Sequence, residues 1–236
     1  DIEDNSQTKS DYKDAKVIAD LIRNGKYSEP NLPTKEYAEL RILMNLREKV
    51  MVNLTQVKAR VVGWSDRYFP EYLSVFKSWE GKASLMTMRQ FPTPEEIIAI
   101  GARGVLAHWK TAIKQGIGIK RAESLHAAAM TSIGLTEGLA AARIELAMLL
   151  EQYELYSKQE EAIMAEVMQI LENIPGTKEM LSVPGIGILT IAGFLAEVGD
   201  LNQYDHGQQI IRLAGLNLTG QSKALIRHNG RREASP

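Results

Sequence analysis

The sequence contains no cysteine among its 236 residues. Disulfides, thiolate zinc sites and cysteine nucleophiles are therefore excluded, and the absence fits a reducing compartment, for which we expect the cytoplasm. The four histidines lack His-Glu-x-x-His spacing, which argues against a histidine-built metal site. No apolar run approaches the ~18 residues that span a bilayer, so we expect no membrane partner.

The sequence also lacks an excess of charge of one sign, since its formal net charge is −1. The average therefore indicates neither a nucleic-acid-binding nor a strongly acidic protein. The chain from residue 212 onward differs, because it has a local net charge of +4 with Glu233 as its single acid. Clustered basic residues favour nucleic-acid binding, although a short basic tail is also often just a solvent-exposed chain end. The basic residues of this tail are Arg212, Lys223, Arg227, Arg231 and Arg232.

Helical periodicity is abundant. Residues 8–23 carry apolar side chains at steps of three and four, and Asn24-Gly25 ends this predicted helix. Two prolines then predict a linker, and an apolar stripe over residues 40–61 predicts a long helix. Thr93-Pro94-Glu95-Glu96 is typical of a further helix start.

The most periodic segment runs from Leu139 to Ile174 in a heptad register whose only polar member is Glu160. A helix of that length is a rod of about 50 Å. Two interpretations stay open, because heptad spacing does not say whose helix fills the seam. The rod either forms an antiparallel hairpin with the 40–61 stripe or makes a homo-oligomer through a coiled coil.

A Val-Pro-Gly-Ile-Gly turn at residues 183–187 follows. Gly185 and Gly187 permit positive φ and put no side chain between the backbone and a neighbour. Amides at the start of the next helix would suit a phosphate, and the pattern resembles a helix-hairpin-helix element that grips nucleic-acid backbone without reading its sequence. The alternative is a tight turn between two packed helices.

Three further residues are candidates for chemistry. Asp11 and Asp14 are three residues apart, so their carboxylates share a helix face and could share a divalent cation, with simple helix capping as the alternative. Ser222 lies in a basic loop with no histidine at helical spacing, so a hydrolase triad is not indicated.

The segment around Asp11, the coiled coil and the segment at residues 181–218 together resemble the DEDD transposases of the IS110 insertion-sequence family. The resemblance covers essentially the whole chain. It implies a RuvC-like nuclease domain with four acids that bind Mg2+, a coiled-coil domain for assembly, and a C-terminal transposase domain with a serine nucleophile. DNA and a structured guide (bridge) RNA are the implied partners, and the implied reaction is metal-assisted phosphoryl transfer.

Carried over to this sequence, the resemblance makes Asp11 and Asp14 the last two acids of the tetrad. The other two would precede Asp1, so we expect an N-terminally truncated chain that binds Mg2+ weakly and does not cut DNA by itself. Ser222 matches the serine nucleophile approximately, since Lys223 follows it where the family has glycine.

The expected fold class is mainly α. It comprises the end of a RuvC-like α/β nuclease domain at residues 1–32, a helical coiled-coil domain at 33–174, and a small helical C-terminal transposase domain at 175–236. Two rival functions stay open, namely a non-catalytic nucleic-acid-binding protein that uses the 183–187 turn and the basic tail, and a purely structural coiled-coil adaptor.

Overall fold

The computed structural model describes residues 11–25 and 34–213, without the side chains of residues 11–13 and 212. Every regular element in these ranges is helical, which confirms the mainly α expectation. None of the helices described there combines the length and apolarity needed to cross a bilayer. The helices are α1 (Asp11–Arg23), α2 (Glu36–Tyr68), α3 (Tyr72–Val75), α4 (Lys82–Gln90), α5 (Pro94–Lys110), α6 (Ile119–Met130), α7 (Leu139–Asn173), α8 (Thr177–Leu181), α9 (Ile188–Val198), a 3-10 turn (Leu201–Gln203) and α10 (Gly207–Leu213).

Helices α2 and α7 form an antiparallel hairpin. Arg47 of α2 pairs with Glu160 of α7, whereas Arg67, farther along α2, pairs with Glu145, which is earlier in α7. The apolar stripes predicted for both helices are largely buried against each other. The internal-hairpin interpretation is therefore confirmed, and the seam of α7 is filled by the chain's own α2.

Glu160, the polar residue in the heptad pattern, forms an ion pair with Arg47 of α2. Arg47 Nη2 lies 3.0 Å from Glu160 Oε1, and the two side chains are 19% and 25% exposed. A partly buried ion pair within an apolar seam favours one register of the two helices, because a slipped register would leave both charges unpaired.

Residues 69–138 fold over one end of the hairpin, and we call the apolar core there the tip cluster. Its large aromatic side chains make buried hydrogen bonds: Trp109 Nε1 donates to Thr87 Oγ1 at 2.8 Å, and Trp64 Nε1 donates to Ala142 O at 2.8 Å. The members of the tip cluster are Val61, Trp64, Phe69, Tyr72, Phe76, Trp79, Ala83, Met88, Ile97, Val105, Trp109, Ala122, Leu125, Ala129, Ala142, Leu146, Leu149 and Leu150.

The predicted helix start at Thr93 is confirmed. Thr93 and Glu96 form a reciprocal capping box, in which the Thr93 N–H and hydroxyl lie 3.1 Å and 2.9 Å from Glu96 Oε2. Gly101 has φ of +69° inside α5 and kinks this helix.

At the other end of the hairpin, α8 and α9 pack on the start of α2 and the end of α7. Gly176, with φ of +83°, turns the chain after α7, and Arg41 of α2 pairs with Glu197 of α9 at 3.1 Å. We call the aliphatic core here the base cluster. Its buried members are Leu40, Val50, Ile163, Val167, Ile170, Leu171, Ile174, Ile191, Ala192, Leu195 and Ala196.

Candidate functional site

The turn at residues 183–187 joins α8 to α9 on the surface of the base. The Ile186 N–H donates to Val183 O at 3.2 Å, which closes a four-residue turn. Proline stands at its second position, and Gly185, at the third, has φ of +86°. This is the pattern of a type II turn, whose third residue must adopt positive φ. The backbone conformation therefore explains glycine at 185.

Gly187 is different, because neither its torsions nor a contact with the described residues requires glycine there, although glycine is among the residues that helix N-caps accept. It is the N-cap of α9 with ordinary extended torsions (φ −100°, ψ 169°), and a Cβ built on it would meet nothing within 4 Å. A tight turn between packed helices thus accounts for Gly185 but not for Gly187. Close approach of a partner to the backbone would account for both.

The amides in the first turn of α9 are open to such a partner. Helix geometry leaves these N–H groups without intrahelical acceptors, and no side chain caps them at Gly187. Leu189 and Thr190 of this turn are exposed and Ile188 is half-buried, so the first turn of α9 lies at the surface. Helix N-termini of this kind attract anions.

The turn has a firm support. Ile191, Ala192 and Leu195 bury one face of α9 in the base cluster, while Thr177 Oγ1 donates to Ile174 O at 2.9 Å and ties α8 to the end of α7. Beside the turn lies a largely apolar cavity of about 220 Å³ whose charged lining residues are Glu172 and Lys178. Most of the positive charge predicted for this interface must therefore come from elsewhere.

The predicted source of that charge is the basic tail. Arg212 lies on α10, and its side chain is outside the description. The approach from α9 to α10 is fixed by Tyr204, whose hydroxyl donates to Val198 O at 2.8 Å, and by Asp200, which accepts from the Asn202 N–H at 3.0 Å. The remaining predicted residues, Ser222, Lys223, Arg227, Arg231 and Arg232, lie outside the described residues.

The Asp200 carboxylate also influences the pKa of Tyr37, at the start of α2. Partial burial raises the pKa of Tyr37, and the nearby carboxylates of Asp200 and Glu36 raise it further because they disfavour a phenolate. Tyr37 therefore stays a neutral hydroxyl near the connection that leads from α9 toward α10.

The predicted metal residues lie on α1. Asp11 and Asp14 are one helical turn apart, as expected, and Asp14 is exposed, whereas the side chain of Asp11 is not described. The described residues include no group of three or more histidine or acidic side chains that could hold a metal ion. Of the two predicted metal residues, only the Asp14 side chain is described, and the described residues by themselves do not assemble a Mg2+ site.

Sequence reasoning missed a second basic region. Residues 97–122 contain five lysines or arginines and no acid, which is an asymmetry as strong as that of the tail. The structure gathers part of this stretch at a cleft in the tip, together with Lys77 and Lys82. A window-by-window charge profile would have found it, but the whole-chain average of −1 conceals it.

Two family models match the two ends of the chain. The model of the IS110 DEDD domain, described as "Transposase", matches residues 2–70, and the model described as "Transposase IS116/IS110/IS902 family" matches residues 177–234. The first match includes α1 and α2, and the second includes the 183–187 turn and α9. Helices α3 to α7 lie between the two matches.

Two relatives from Streptomyces coelicolor extend this similarity across the chain. An uncharacterised protein of insertion element IS110 is 22% identical over 225 residues, which is 94% of this chain and 55% of the relative. A mini-circle protein associated by name with IS117 transposition is 26% identical over 204 residues, which is 83% of this chain and 49% of the relative. The chain thus spans about half the length of these relatives.

Proposed function

Because this chain belongs to the IS110 family of transposases, we propose that it acts in DNA transposition and that its base end holds nucleic acid beside the reacting serine. The observation that carries the proposal is the surface turn at residues 183–187. It lies inside the segment matched by the second family model, and among the described residues neither a positive φ nor a close contact requires glycine at 187.

In the proposed complex, the first-turn amides of α9 hydrogen-bond to a backbone phosphate of the nucleic acid. Gly185 and Gly187 let the phosphate approach, and the base cluster holds α9 still while it binds. The basic tail from Arg212 onward adds attraction to further phosphates. Such a grip positions DNA without reading its sequence.

The chemistry assigned to this chain follows the family resemblance. The Ser222 hydroxyl gives up its proton and its oxygen bonds to phosphorus, while the bond from phosphorus to the leaving deoxyribose oxygen breaks and that oxygen takes up a proton. Asp11 and Asp14 are proposed as two of the acids of the nuclease domain. The described residues do not assemble a Mg2+ site, so this proposal contains no reaction step on the metal.

A structured guide RNA and a second copy of the chain are the other proposed partners. Since α2 fills the heptad seam of α7, a second copy must dock on another face. The outward side of α7 offers Ile144, Met148 and Leu155, which are 64%, 55% and 51% exposed. Light scattering of Met148→Glu against the wild-type chain tests this: the wild type is expected to be an oligomer and the variant a smaller species.

The decisive experiment uses the full-length parent protein, which would supply the other two acids of the proposed tetrad, together with its RNA and donor DNA, and detects a covalent protein–DNA adduct on a denaturing gel. Ser222→Ala is expected to abolish the adduct, and Ser124→Ala is the control, since Ser124 is exposed on α6 and its hydroxyl only donates to Lys120 O. An adduct that survives in Ser222→Ala would overturn the serine assignment.

The acids are tested in the same assay. Asp14→Ala is expected to prevent DNA cutting, whereas Asp66→Ala, which removes an exposed aspartate of α2, is expected to leave it unchanged. Unaltered cutting by Asp14→Ala would remove its metal role. A protein that binds DNA but never forms an adduct would instead be the non-catalytic nucleic-acid-binding protein.

A further inference from the structure

An open cleft of about 410 Å³ lies at the tip of the hairpin. It is bounded by the segment that leads from α3 into α4 and by the segment that joins α5 to α6. Its charged lining residues are all basic, namely Lys77, Lys82 and Arg121. We call it the tip cleft.

No carboxylate of the described chain lies within ion-pair distance of these three basic side chains. Lys82 Nζ donates to Ala112 O at 2.7 Å, which holds the two walls of the cleft together. Glu80, the nearby acid in sequence, is already paired with Lys58 at 2.8 Å. The positive charge in the cleft is therefore uncompensated among the residues described.

The N-terminus of α4 lines the tip cleft with residues 81–84, and α6 contributes Arg121 from its first turn. Helix α4 begins after Gly81 and α6 begins after Gly118, and neither glycine can supply a side-chain cap. The first-turn amides of both helices consequently lack a side-chain acceptor. Gly81 and Gly118 have ordinary negative φ values of −67° and −121°, and no side-chain atom lies within 4 Å of a Cβ built on either.

The charged side chains in these first turns are positive, whereas the N-terminus of a helix favours negative side chains. A helix N-terminus is stabilised by acids, yet neither α4 nor α6 has an acid in its first turn. Lys82 and Arg121 occupy those turns instead. Positive side chains and positive helix ends that face one cavity repel each other unless an anion lies between them.

We infer that the tip cleft binds a phosphate group of a nucleic-acid backbone. Basic side chains supply the charge, and the uncapped amides supply hydrogen bonds to the phosphate oxygens. A polymer fits better than a single free anion, because Lys110, Lys114 and Lys120 extend the acid-free stretch beyond the cleft. The source of the phosphate rests on the proposed function, but the cleft lies outside both segments matched by the family models.

The tip cleft and the 183–187 turn are at opposite ends of the hairpin. From Leu146 in the tip cluster to Ile170 in the base cluster, α7 extends about 36 Å. The two sites therefore contact separate stretches of a long nucleic acid, and loss of one leaves the other intact.

The test compares the whole chain with a double variant, Lys77→Glu with Arg121→Glu. Both side chains are exposed, so the variant should fold, which circular dichroism checks. The matched control is Lys49→Glu with Lys158→Glu, which makes the same change in net charge at exposed positions along the shaft of the hairpin. Labelled duplex DNA and labelled hairpin RNA are titrated at several salt concentrations, and inorganic phosphate is a third probe.

For at least one of the two nucleic acids, the cleft variant should lose about tenfold in affinity, and its salt slope should fall by about two, since each lost phosphate contact removes about one from the slope. The control should retain the wild-type slope. Wild-type binding that the cleft variant leaves unaltered, or an equal loss in the control, would overturn the inference. It is likewise overturned if inorganic phosphate, but neither nucleic acid, shifts the amide resonances of Lys82 and Ala83, which line the cleft.

This test separates the inference from the proposed function. Failure of the cleft alone leaves nucleic-acid binding and the Ser222-dependent adduct in place. If only the proposed function is wrong, no adduct forms, or substitutions in the 183–187 turn leave nucleic-acid affinity unchanged. The cleft variant would still bind nucleic acid more weakly than the wild type.

Discussion

The tip and the base of the hairpin are built in different ways. The tip cluster rests on large aromatic residues, and the side-chain polar atoms of Trp64, Tyr72 and Trp109 each have a hydrogen-bond partner. The base cluster is aliphatic, with Ala192 and Ala196 of α9 buried in it. Hydrogen-bonded aromatic residues fix the arrangement of short helices at the tip, whereas helices at the base need only apolar faces of the right shape.

The two proposed binding sites share one structural feature. Each presents a helix N-terminus with a glycine N-cap and no side-chain cap: Gly187 at the base, and Gly81 and Gly118 at the tip. At the tip, basic side chains on the same short helices supply charge, while at the base the predicted charge comes from the tail that follows α9. In the proposed account, the tip cleft therefore carries its own basic side chains, whereas the turn at the base depends on the residues that follow α9.

The largest expected loss of stability comes from a substitution in the tip cluster. Trp109→Ala should lower the free energy of unfolding by about 3–5 kcal/mol, because it leaves a cavity and removes the hydrogen bond to Thr87. Leu195→Ala, which opens the base cluster, should cost about 2–5 kcal/mol. Urea unfolding of both variants measures this, with Ile133→Ala, at a side chain that is 86% exposed, as the control.

The nucleic-acid affinities of these two variants sharpen the comparison. Below the unfolding transition, Trp109→Ala should weaken binding through the tip cleft, and Leu195→Ala should weaken binding through the 183–187 turn. Equal effects of both variants on both sites would mean that the ends are not independent.

A smaller effect is expected midway between the ends, at the Arg47–Glu160 pair. Glu160→Ala should cost about 1–3 kcal/mol, since Arg47 is only 19% exposed and would lose its partner. Glu145→Ala breaks the more exposed pair with Arg67 and should cost at most about 1 kcal/mol. Thermal unfolding compares the two.

A double variant tests what the midway pair contributes. Arg47→Leu with Glu160→Leu should recover most of the stability lost in Glu160→Ala, because well-packed apolar residues often replace a buried pair without cost. A double variant that is less stable than Glu160→Ala would show that the ion pair stabilises the seam by more than this account allows.

The smallest effect is a pH dependence at the tip. Burial acts to raise the pKa of Glu71, but hydrogen bonds from Ser132 Oγ at 2.6 Å and the Ile133 N–H at 3.1 Å favour the carboxylate, and the net pKa lies below its usual value of 4.5. A lowered carboxyl pKa stabilises the fold above the ordinary pKa, and this stabilisation is lost as pH falls through the folded-state pKa.

Glu71→Gln should therefore be less stable than the wild type by under about 1 kcal/mol near neutral pH, and the difference should shrink at about pH 3. Thermal unfolding at the two pH values measures it. A difference that grows on acidification would contradict the assigned direction of the pKa.

Local patterns predicted the long helices well. The heptad run over residues 139–174 became α7, and the Thr93 capping box formed, since both depend on neighbours within a few residues. The partner of α7 could not be predicted, because heptad spacing is satisfied equally by a helix of the same chain or of another. The tip also escaped prediction, because it depends on long-range contacts such as that between Trp109 and Thr87.

The candidate sites likewise have features that could be predicted from the sequence and features that could not. The positive φ at Gly185 is a local property of the Pro-Gly turn and could be predicted, as could the shared helix of Asp11 and Asp14. The tip cleft could not, since Lys77 and Arg121 are distant in sequence and meet only after α3 to α6 pack.

The most direct test of the central claim, that the 183–187 turn grips nucleic-acid backbone, is the affinity of Gly187→Ala for labelled duplex DNA. Gly193→Ala is the control on the same helix, where a Cβ would lie 3.9 Å from Met44 Cε in ordinary contact. Both variants should stay within about 1 kcal/mol of wild-type stability. We expect Gly187→Ala to lose about tenfold in affinity, as displacement of one charge-assisted phosphate contact implies, and Gly193→Ala to lose none. Wild-type affinity in Gly187→Ala would contradict the account.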